Sequence, residues 1–228
     1  MREIVLDTET TGLDPAQGHR VVEIGALELI NHVATGKTFH AYINPERDMP
    51  KEAEAVHGLT TSFLRPKPVF ASVVNDFLAF IGDAPLVIHN AAFDTAFLNA
   101  ELSYCKLPIL LEERIVDTLQ IARKRHPMGP NSLDALCKRY GIDNSKRTKH
   151  GALLDSELLA EVYLELVGGR QTALTLATSA RGSIAQSASR GIAMRPQPLP
   201  PRITEAEREA HRKLIAELGE ASLWPREA

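Results

Sequence analysis

Sulfur is scarce in this chain. Its 228 residues contain two cysteines, Cys105 and Cys137, far apart and in no metal-binding spacing. That excludes a disulfide framework and a cysteine-ligated metal, and leaves two buried thiols of a reducing compartment. No stretch approaches the roughly 18 apolar residues that a membrane span needs. No basic-then-apolar leader precedes the first strand-like run, Glu3-Ile4-Val5-Leu6-Asp7. The expectation is a soluble, cytoplasmic protein without membrane contact. Bulk charge does not suggest a polyanionic partner either, because the net value is −3.

Acidic residues are themselves missing from one segment. Residues 170–203 carry five arginines (Arg170, Arg181, Arg190, Arg195 and Arg202) and no Asp or Glu. The part before Arg170 is therefore more acidic than the whole. An acidic body that handles a polyanion needs bound cations, a first hint of metal.

At 44% hydrophobic, the chain can bury one substantial core and carry an appendage. Three β-like runs come first, at 3–7, 21–30 and 37–43, separated by turn residues. Val69, Val73, Phe77 and Ile81 then recur every four residues, as on a helix face. A short apolar run at 85–88, a helix near 92–104, and a fifth strand at 114–117 leading into a helix follow. Ser132 caps a helix with the stripe Leu133, Leu136, Cys137 and Tyr140. The last helix of the body spans about 154–167 and stops at Gly168-Gly169. Consecutive strands followed by alternating strands and helices predict an α/β fold, a mixed sheet with helices on its faces. From Arg170 periodicity is lost, and the Pro-rich run 195–201 marks 170–203 as a flexible tether. Thr204 and Glu207 form a capping box for a terminal helix near 205–218, beyond which lies Trp224, the chain's one tryptophan.

The chemistry lies in four carboxylates. Asp7 and Glu9 are two apart at the end of an apolar strand, so both side chains point to one face. Taken alone, they could be a solvated strand end. Asp94 shares its helix face with Phe97 and Leu98, and Asp155 shares its own with Leu158, Leu159 and Val162. Each of these two could singly be a helix-capping group. No lysine or arginine follows on either stripe within a turn, so no local basic partner is expected. Buried carboxylates without partners should be protonated or metal-bound. Hard divalent cations want such oxygen ligands, and two of them can clamp a phosphodiester. His150, five residues before Asp155, reads alone as a surface histidine beside Lys146, Arg147 and Lys149. Near a metal, a neutral imidazole can serve as general base.

These residues carry a resemblance. Asp7-Thr8-Glu9-Thr10-Thr11-Gly12, His89-Asn90-Ala91-Ala92-Phe93-Asp94 and His150-Gly151-Ala152-Leu153-Leu154-Asp155 resemble the three motifs of DEDDh 3′→5′ exonucleases. The stretch from Asn131-Ser132-Leu133-Asp134 through Lys146-Arg147-Thr148 narrows the likeness to the epsilon-subunit family of bacterial DNA polymerase III. The resemblance covers about residues 2–169 and implies a ribonuclease H-like fold with a five-stranded mixed sheet. It implies two divalent ions, Mg²⁺ or Mn²⁺, with Asp7, Glu9 and Asp155 on one, Asp7 bridging, and Asp94 on the second. It further implies His150 as general base, and a pocket for the DNA 3′ end from Thr10, Gly12, Glu52, His57, His89 and Asn90. His89 can equally be a neutral histidine closing a strand. Arg123-Lys124-Arg125 and Lys138-Arg139 can touch phosphates or simply solvate helix faces.

The tail resembles partner-binding segments. Gln171, Leu174 and Leu176 lie in a hexapeptide similar to those that bind the bacterial sliding clamp, a pattern that is also common by chance. Leu214, Ile215, Leu218 and Trp224 suit docking on another protein, which the resemblance implies is the polymerase alpha subunit; the helix could instead fold back on its own body. The expected organisation is an exonuclease domain at 1–169, a tether at 170–203 and a polymerase-binding segment at 204–228. Two other functions compete with proofreading. A free-standing DEDDh exoribonuclease would need neither tether nor terminal helix. A non-catalytic bridging subunit would have no use for mutually repelling carboxylates.

Overall fold

The computed structural model describes residues 1–145, 147, 149–168 and 203–218. The chain divides into two units, Met1–Thr175 and Leu176–Ala228. The first is built on five strands: β1 (Arg2–Thr10), β2 (Val21–Ile30), β3 (Val33–Tyr42), β4 (Leu86–Ile88) and β5 (Ile115–Asp117). Their order across the sheet is β3-β2-β1-β4-β5. The pairs β1–β2 and β2–β3 are antiparallel, whereas β4 pairs in parallel with β1 and with β5. The mixed five-stranded sheet is as expected.

Strand β1 is central because both of its faces are apolar. Ile4 and Leu6 enter one core with Phe70, Val74 and Phe77 of α3 (Phe70–Ile81), and with Phe97 and Leu98 of α4 (Ala91–Tyr104). Val5 enters the other core with Leu158, Leu159 and Val162 of α7 (Ala152–Val167) and Leu136 of α6 (Leu133–Tyr140). Ile4, Val5 and Leu6 are wholly buried, which stabilises the strand by about 1.5–3 kcal/mol each. The strand end, where Asp7 and Glu9 lie, is thus fixed from both sides.

Two short helices were not expected: α1 (Lys51–His57) and α2 (Thr61–Leu64). Their signals are local, a Gly58 with φ of 78° closing α1 and a Thr60 hydroxyl capping α2. Strand β3 starts four residues before the expected run. Asn31 and His32, with φ of 51° and 65°, make the two-residue hairpin turn. The remaining body helix, α5 (Thr118–Arg125), is capped by Asp117, whose carboxylate accepts from the Leu119 N–H at 2.9 Å.

Gly25 decides how close α7 comes. It pairs with Asp7 in β2, and a Cβ there would stand 2.1 Å from the Leu153 N and 2.2 Å from the Ala152 C. The Ser156 hydroxyl donates to the Gly25 carbonyl at 2.9 Å. Helix α7 therefore starts directly over the sheet, its first turn beside Asp7.

The second unit contains α8 (Glu205–Leu218), capped as expected: Glu207 Oε2 accepts from the Thr204 N–H at 2.7 Å. Leu214 and Leu218 are 50% and 41% exposed on it, and Ile215 is half-buried. Gln171, Leu174, Leu176, Trp224 and residues 170–202 of the expected tether lie outside the described residues. Among the described residues no helix is long and apolar enough to cross a membrane.

Gly25→Ala is expected to lower unfolding free energy by roughly 1–3 kcal/mol or more, because backbone rather than a flexible side chain must give way. Urea denaturation of the two proteins measures this.

Candidate active site

Three elements deliver the acidic residues. Glu9 lies near the end of β1 opposite Glu23 of β2, and Asp7 lies opposite Gly25. Asp155 sits in the first turn of α7, and Asp94 in that of α4. Asp94 approaches β1 from the Thr8 side, where its Oδ1 accepts from the Thr8 N–H at 3.0 Å and the Thr8 hydroxyl at 2.7 Å. Thr8 thus anchors a carboxylate that its place in the sequence does not reveal. Asp94, Asp155 and Glu9 are all buried.

Burial of an acid is not itself unusual here. Glu101 is buried, yet the Arg20 guanidinium meets it with Nε at 2.7 Å and Nη2 at 2.8 Å. Glu3 accepts from the Tyr163 hydroxyl at 2.7 Å, and Glu23 bonds His40 Nε2 at 2.7 Å. The cluster at the end of β1 differs, because its members face one another. Burial raises the Asp7 carboxyl well above its usual range, and Asp94, Glu9 and Asp155 push it the same way. Glu9 is raised to about 8, by burial first and then by Asp155, Glu23 and Asp94. Asp94 is raised to about 7 by burial, against the opposing hydrogen bonds from Thr8.

One expectation is corrected. Asp155 does have a basic partner, brought by the loop before α7 rather than by its own stripe. Arg147 donates from Nε to Asp155 Oδ1 at 2.5 Å and from Nη2 to Oδ2 at 2.7 Å. Its Nη1 reaches Asp134 at 2.6 Å. A periodicity argument looks only along a helix, so it misses a guanidinium that arrives from a loop. Arg147 opposes the raised values of Asp7 and Glu9 without cancelling them.

His150 stands beside Asp155, and its backbone N–H donates to the Val56 carbonyl at 3.3 Å. Ligand atoms of Glu9, His150 and Asp155 lie within 4.8 Å of one another. Three oxygen- or nitrogen-bearing groups at that spacing, with the Glu9 carboxyl raised by burial and then by Asp155, fit a hard divalent cation.

Two adjoining cavities share Glu9. A cleft of about 970 Å³ holds Asp7, Glu9, His89, Asn90, Arg123, Arg147, His150 and Asp155 on its walls. A second, of about 510 Å³, is lined by Glu9, Thr10, Gly12, Glu52, His57, His19 and Phe93. The expected pocket residues are thus all present, divided between the two. Asp94 lines neither; it lies behind Thr8. Gly12 allows His19 to close against it, since a Cβ would stand 2.3 Å from that ring. His19 bonds the Thr11 hydroxyl at 3.1 Å and had no expected role. Burial lowers the pKa of both His57 and His89. His57 Nδ1 accepts from the Leu59 N–H at 3.0 Å, and His89 Nδ1 bonds the Thr118 hydroxyl at 2.9 Å. His89 therefore closes β4 through a side-chain bond while also lining the cleft. Of the basic run on α5, Arg123 faces the cleft, and Arg125 donates to the Leu166 carbonyl at 2.8 Å.

Known proteins share both the sequence and the fold. The family model described as "RNase_T: Exonuclease" matches residues 4–163. A DNA polymerase III subunit epsilon from Rickettsia prowazekii (strain Madrid E) is 50% identical over 226 residues, covering 94% of this chain and 96% of that protein. The subunit of the same name from Escherichia coli (strain K12) is 51% identical over 183 residues, covering 77% of this chain and 75% of its own length. The chain belongs to the DNA polymerase III epsilon family of exonucleases. Among solved structures, exonuclease X in complex with 5′-overhanging duplex DNA superposes with a TM-score of 0.58 at 25% identity, covering 72% of this chain and 90% of that one. The nuclease domain of 3′hExo, a DEDDh family member bound to rAMP, gives 0.63 at 19% identity over 73% and 91% of the two chains. That likeness is one of fold, the ribonuclease H-like arrangement of sheet and helices.

The raised carboxyls set a pH dependence. Folded Glu9 and Asp94 hold protons up to about 8 and about 7, above their ordinary 4.5 and 3.8. Between those limits the folded state binds more protons than the unfolded one, so stability falls as pH rises. Glu28, held near 2 chiefly by its hydrogen bond with Arg2, titrates below that window. His57 and His89, lowered by burial, act in the opposite sense below about 6.5. After chelator treatment, thermal stability should therefore decline from pH 6.5 to pH 8, and added Mg²⁺ should flatten the decline. Calorimetry across that range checks both.

Proposed function

We propose that the chain is the 3′→5′ proofreading exonuclease of a bacterial replicative DNA polymerase III, removing mispaired 3′-terminal nucleotides as nucleoside 5′-monophosphates. The observation that carries this is the meeting of Asp7, Glu9 and Asp155 with His150 in one cleft, in a chain half identical to an epsilon subunit along 94% of its length. A free-standing exoribonuclease is disfavoured by that coverage, which extends into the tail. A non-catalytic bridge is disfavoured by the cost of the repelling carboxylates.

In this reading Asp7, Glu9 and Asp155 would hold one divalent ion, and Asp7 together with Asp94 would serve a second. Mg²⁺ and Mn²⁺ both suit the oxygen-rich set. Ions bound there supply Lewis acidity, easing deprotonation of water and offsetting charge on the phosphodiester. The chain's own groups do the rest. The cavity with Thr10, Gly12, Glu52 and His57 takes the terminal nucleoside, while His89 and Asn90 line the approach of the strand. His57 and His89, kept neutral by burial, act as hydrogen-bonding groups rather than charges. His150 takes the proton from the attacking water. The water oxygen bonds phosphorus as the P–O3′ bond breaks. The departing O3′ takes a proton from solvent to become the 3′ hydroxyl of the shortened strand, and the released nucleotide keeps the phosphate on its 5′ oxygen.

Residues 1–169 form the catalytic domain, 170–203 tether it, and 204–228 bind the polymerase. Leu214, Ile215 and Leu218 give α8 an apolar face for the alpha subunit, with Trp224 as a further anchor. Gln171, Leu174 and Leu176 contact the sliding clamp. A cytoplasmic location follows from this assembly.

Asp7→Ala should reduce hydrolysis of single-stranded DNA by about 10³-fold or more, since the residue serves both ions. Its fold should survive, with repulsion relieved. Retained turnover in that variant, measured on a labelled oligonucleotide, would remove Asp7 from the site. Deleting residues 177–228 should leave that hydrolysis unchanged and abolish co-purification with the polymerase. A truncated protein that still binds polymerase would contradict the tail assignment.

A further inference from the structure

Arg147 contacts two residues to which the proposed reaction gives different tasks, and the geometry forces a relation between them. Its Nη2 lies 2.7 Å from Asp155 Oδ2 and 2.6 Å from His150 Nδ1. A guanidinium has five donors and no acceptor. His150 Nδ1 therefore accepts, which places the imidazole proton on Nε2. The 3.2 Å contact between His150 Nδ1 and Asp155 Oδ2 is then a proximity of two acceptors, both served by one N–H group. The lone pair that a general base needs at Nδ1 is engaged by Arg147.

The same guanidinium meets Asp155 edge to edge, with Nε at 2.5 Å from Oδ1. That is also how a carboxylate presents both oxygens to a cation. Nη1 is anchored on Asp134 at 2.6 Å, and Asp134 in turn accepts from Asn144 Nδ2 at 3.1 Å. Arg147 thus links the first turns of α6 and α7. Its side chain is 7% exposed and that of Asp155 is 3% exposed, so solvent screens the pair little. A divalent ion arriving at Asp155 meets a positive charge already in place, and the two repel whether or not Arg147 moves.

We propose that Arg147 is a resident counter-ion that couples ion uptake to base availability: it holds Asp155 and His150 Nδ1 together until a divalent ion displaces it from both. The inference rests on the reading of Asp155 as an ion ligand. It has a sign that a merely supporting residue would not produce. If Arg147 simply oriented Asp155 for the ion, its removal would weaken ion binding. If it competes, removal strengthens it.

The test is isothermal titration of the full chain with Mn²⁺ at pH 7, in wild type, Arg147→Met and Asp134→Asn. Arg147→Met should bind Mn²⁺ roughly fivefold or more tightly, the size of a modest ion-pair term. Its chelator-treated form should melt at a lower temperature than wild type. Asp134→Asn, which removes only the outer anchor, should shift affinity in the same direction by less, and it decides the matter if Arg147→Met fails to fold. A second readout is the ¹⁵N spectrum of the histidine rings. In chelated wild type, His150 should carry its proton on Nε2 with Nδ1 as a bonded acceptor, and Mg²⁺ should shift Nδ1 to the unbonded value. Equal or weaker Mn²⁺ affinity in both variants, or an Nδ1 signal unmoved by Mg²⁺, overturns the coupling. A wild type that binds no Mn²⁺ would instead sink the ion-ligand reading beneath it.

Discussion

Mutual repulsion among Asp7, Glu9, Asp94 and Asp155 is the constraint on which the rest of this site depends. Three elements deliver the four acids, and each element is fixed by apolar packing that has nothing to do with charge. Strand β1 is clamped between two cores, α4 buries Phe97 and Leu98, and α7 buries Leu158, Leu159 and Val162. Packing of this kind stabilises the fold enough to hold like charges together in a poorly solvated place. Relief comes in part from neighbours, from Thr8 at Asp94 and from Arg147 at Asp155. At Asp7 and Glu9 it comes from protonation, as their raised values record. The balance is one that divalent ions would improve.

Other buried acids in the molecule make the distinction clear. Glu101 has Arg20, Glu23 has His40, and Glu3 has Tyr163. Each has a partner of its own outside the cluster. What marks the cluster is that Asp7 and Glu9, raised first by burial, are raised further by the acids that face them. Gly25 is the geometric condition for this, since any side chain there would push the first turn of α7 away from Asp7.

Much of this was legible in the sequence, for identifiable reasons. Asp94 and Asp155 fall on helical stripes whose period can be read directly, and Asp7 and Glu9 fall on one strand face. The order of strands and helices fixed the sheet as mixed. What escaped depends on contacts between segments distant in the chain. Thr8 meets Asp94 86 residues away. Gly25 in a strand interior did carry a signal, since such a glycine often marks close backbone approach, but the helix it admits begins more than a hundred residues later. Arg147 was visible as a basic residue near His150, and its attachment to Asp155 is a property of how the loop folds. Helices α1 and α2 are too short for periodicity to announce them. Helix α1 nonetheless shapes the second cavity, through Val56 and His57.

The central claim is that the carboxylates at the end of β1 form a divalent-ion site and that Arg147 yields to its occupant. The most direct measurement is anomalous diffraction from crystals of the full chain grown with Mn²⁺. Anomalous peaks are expected against Asp7, Glu9 and Asp155, with the Arg147 guanidinium moved off Asp155 and His150 Nδ1 no longer bonded to it. Mn²⁺ absent from these residues, in crystals that bind it elsewhere, would contradict the account.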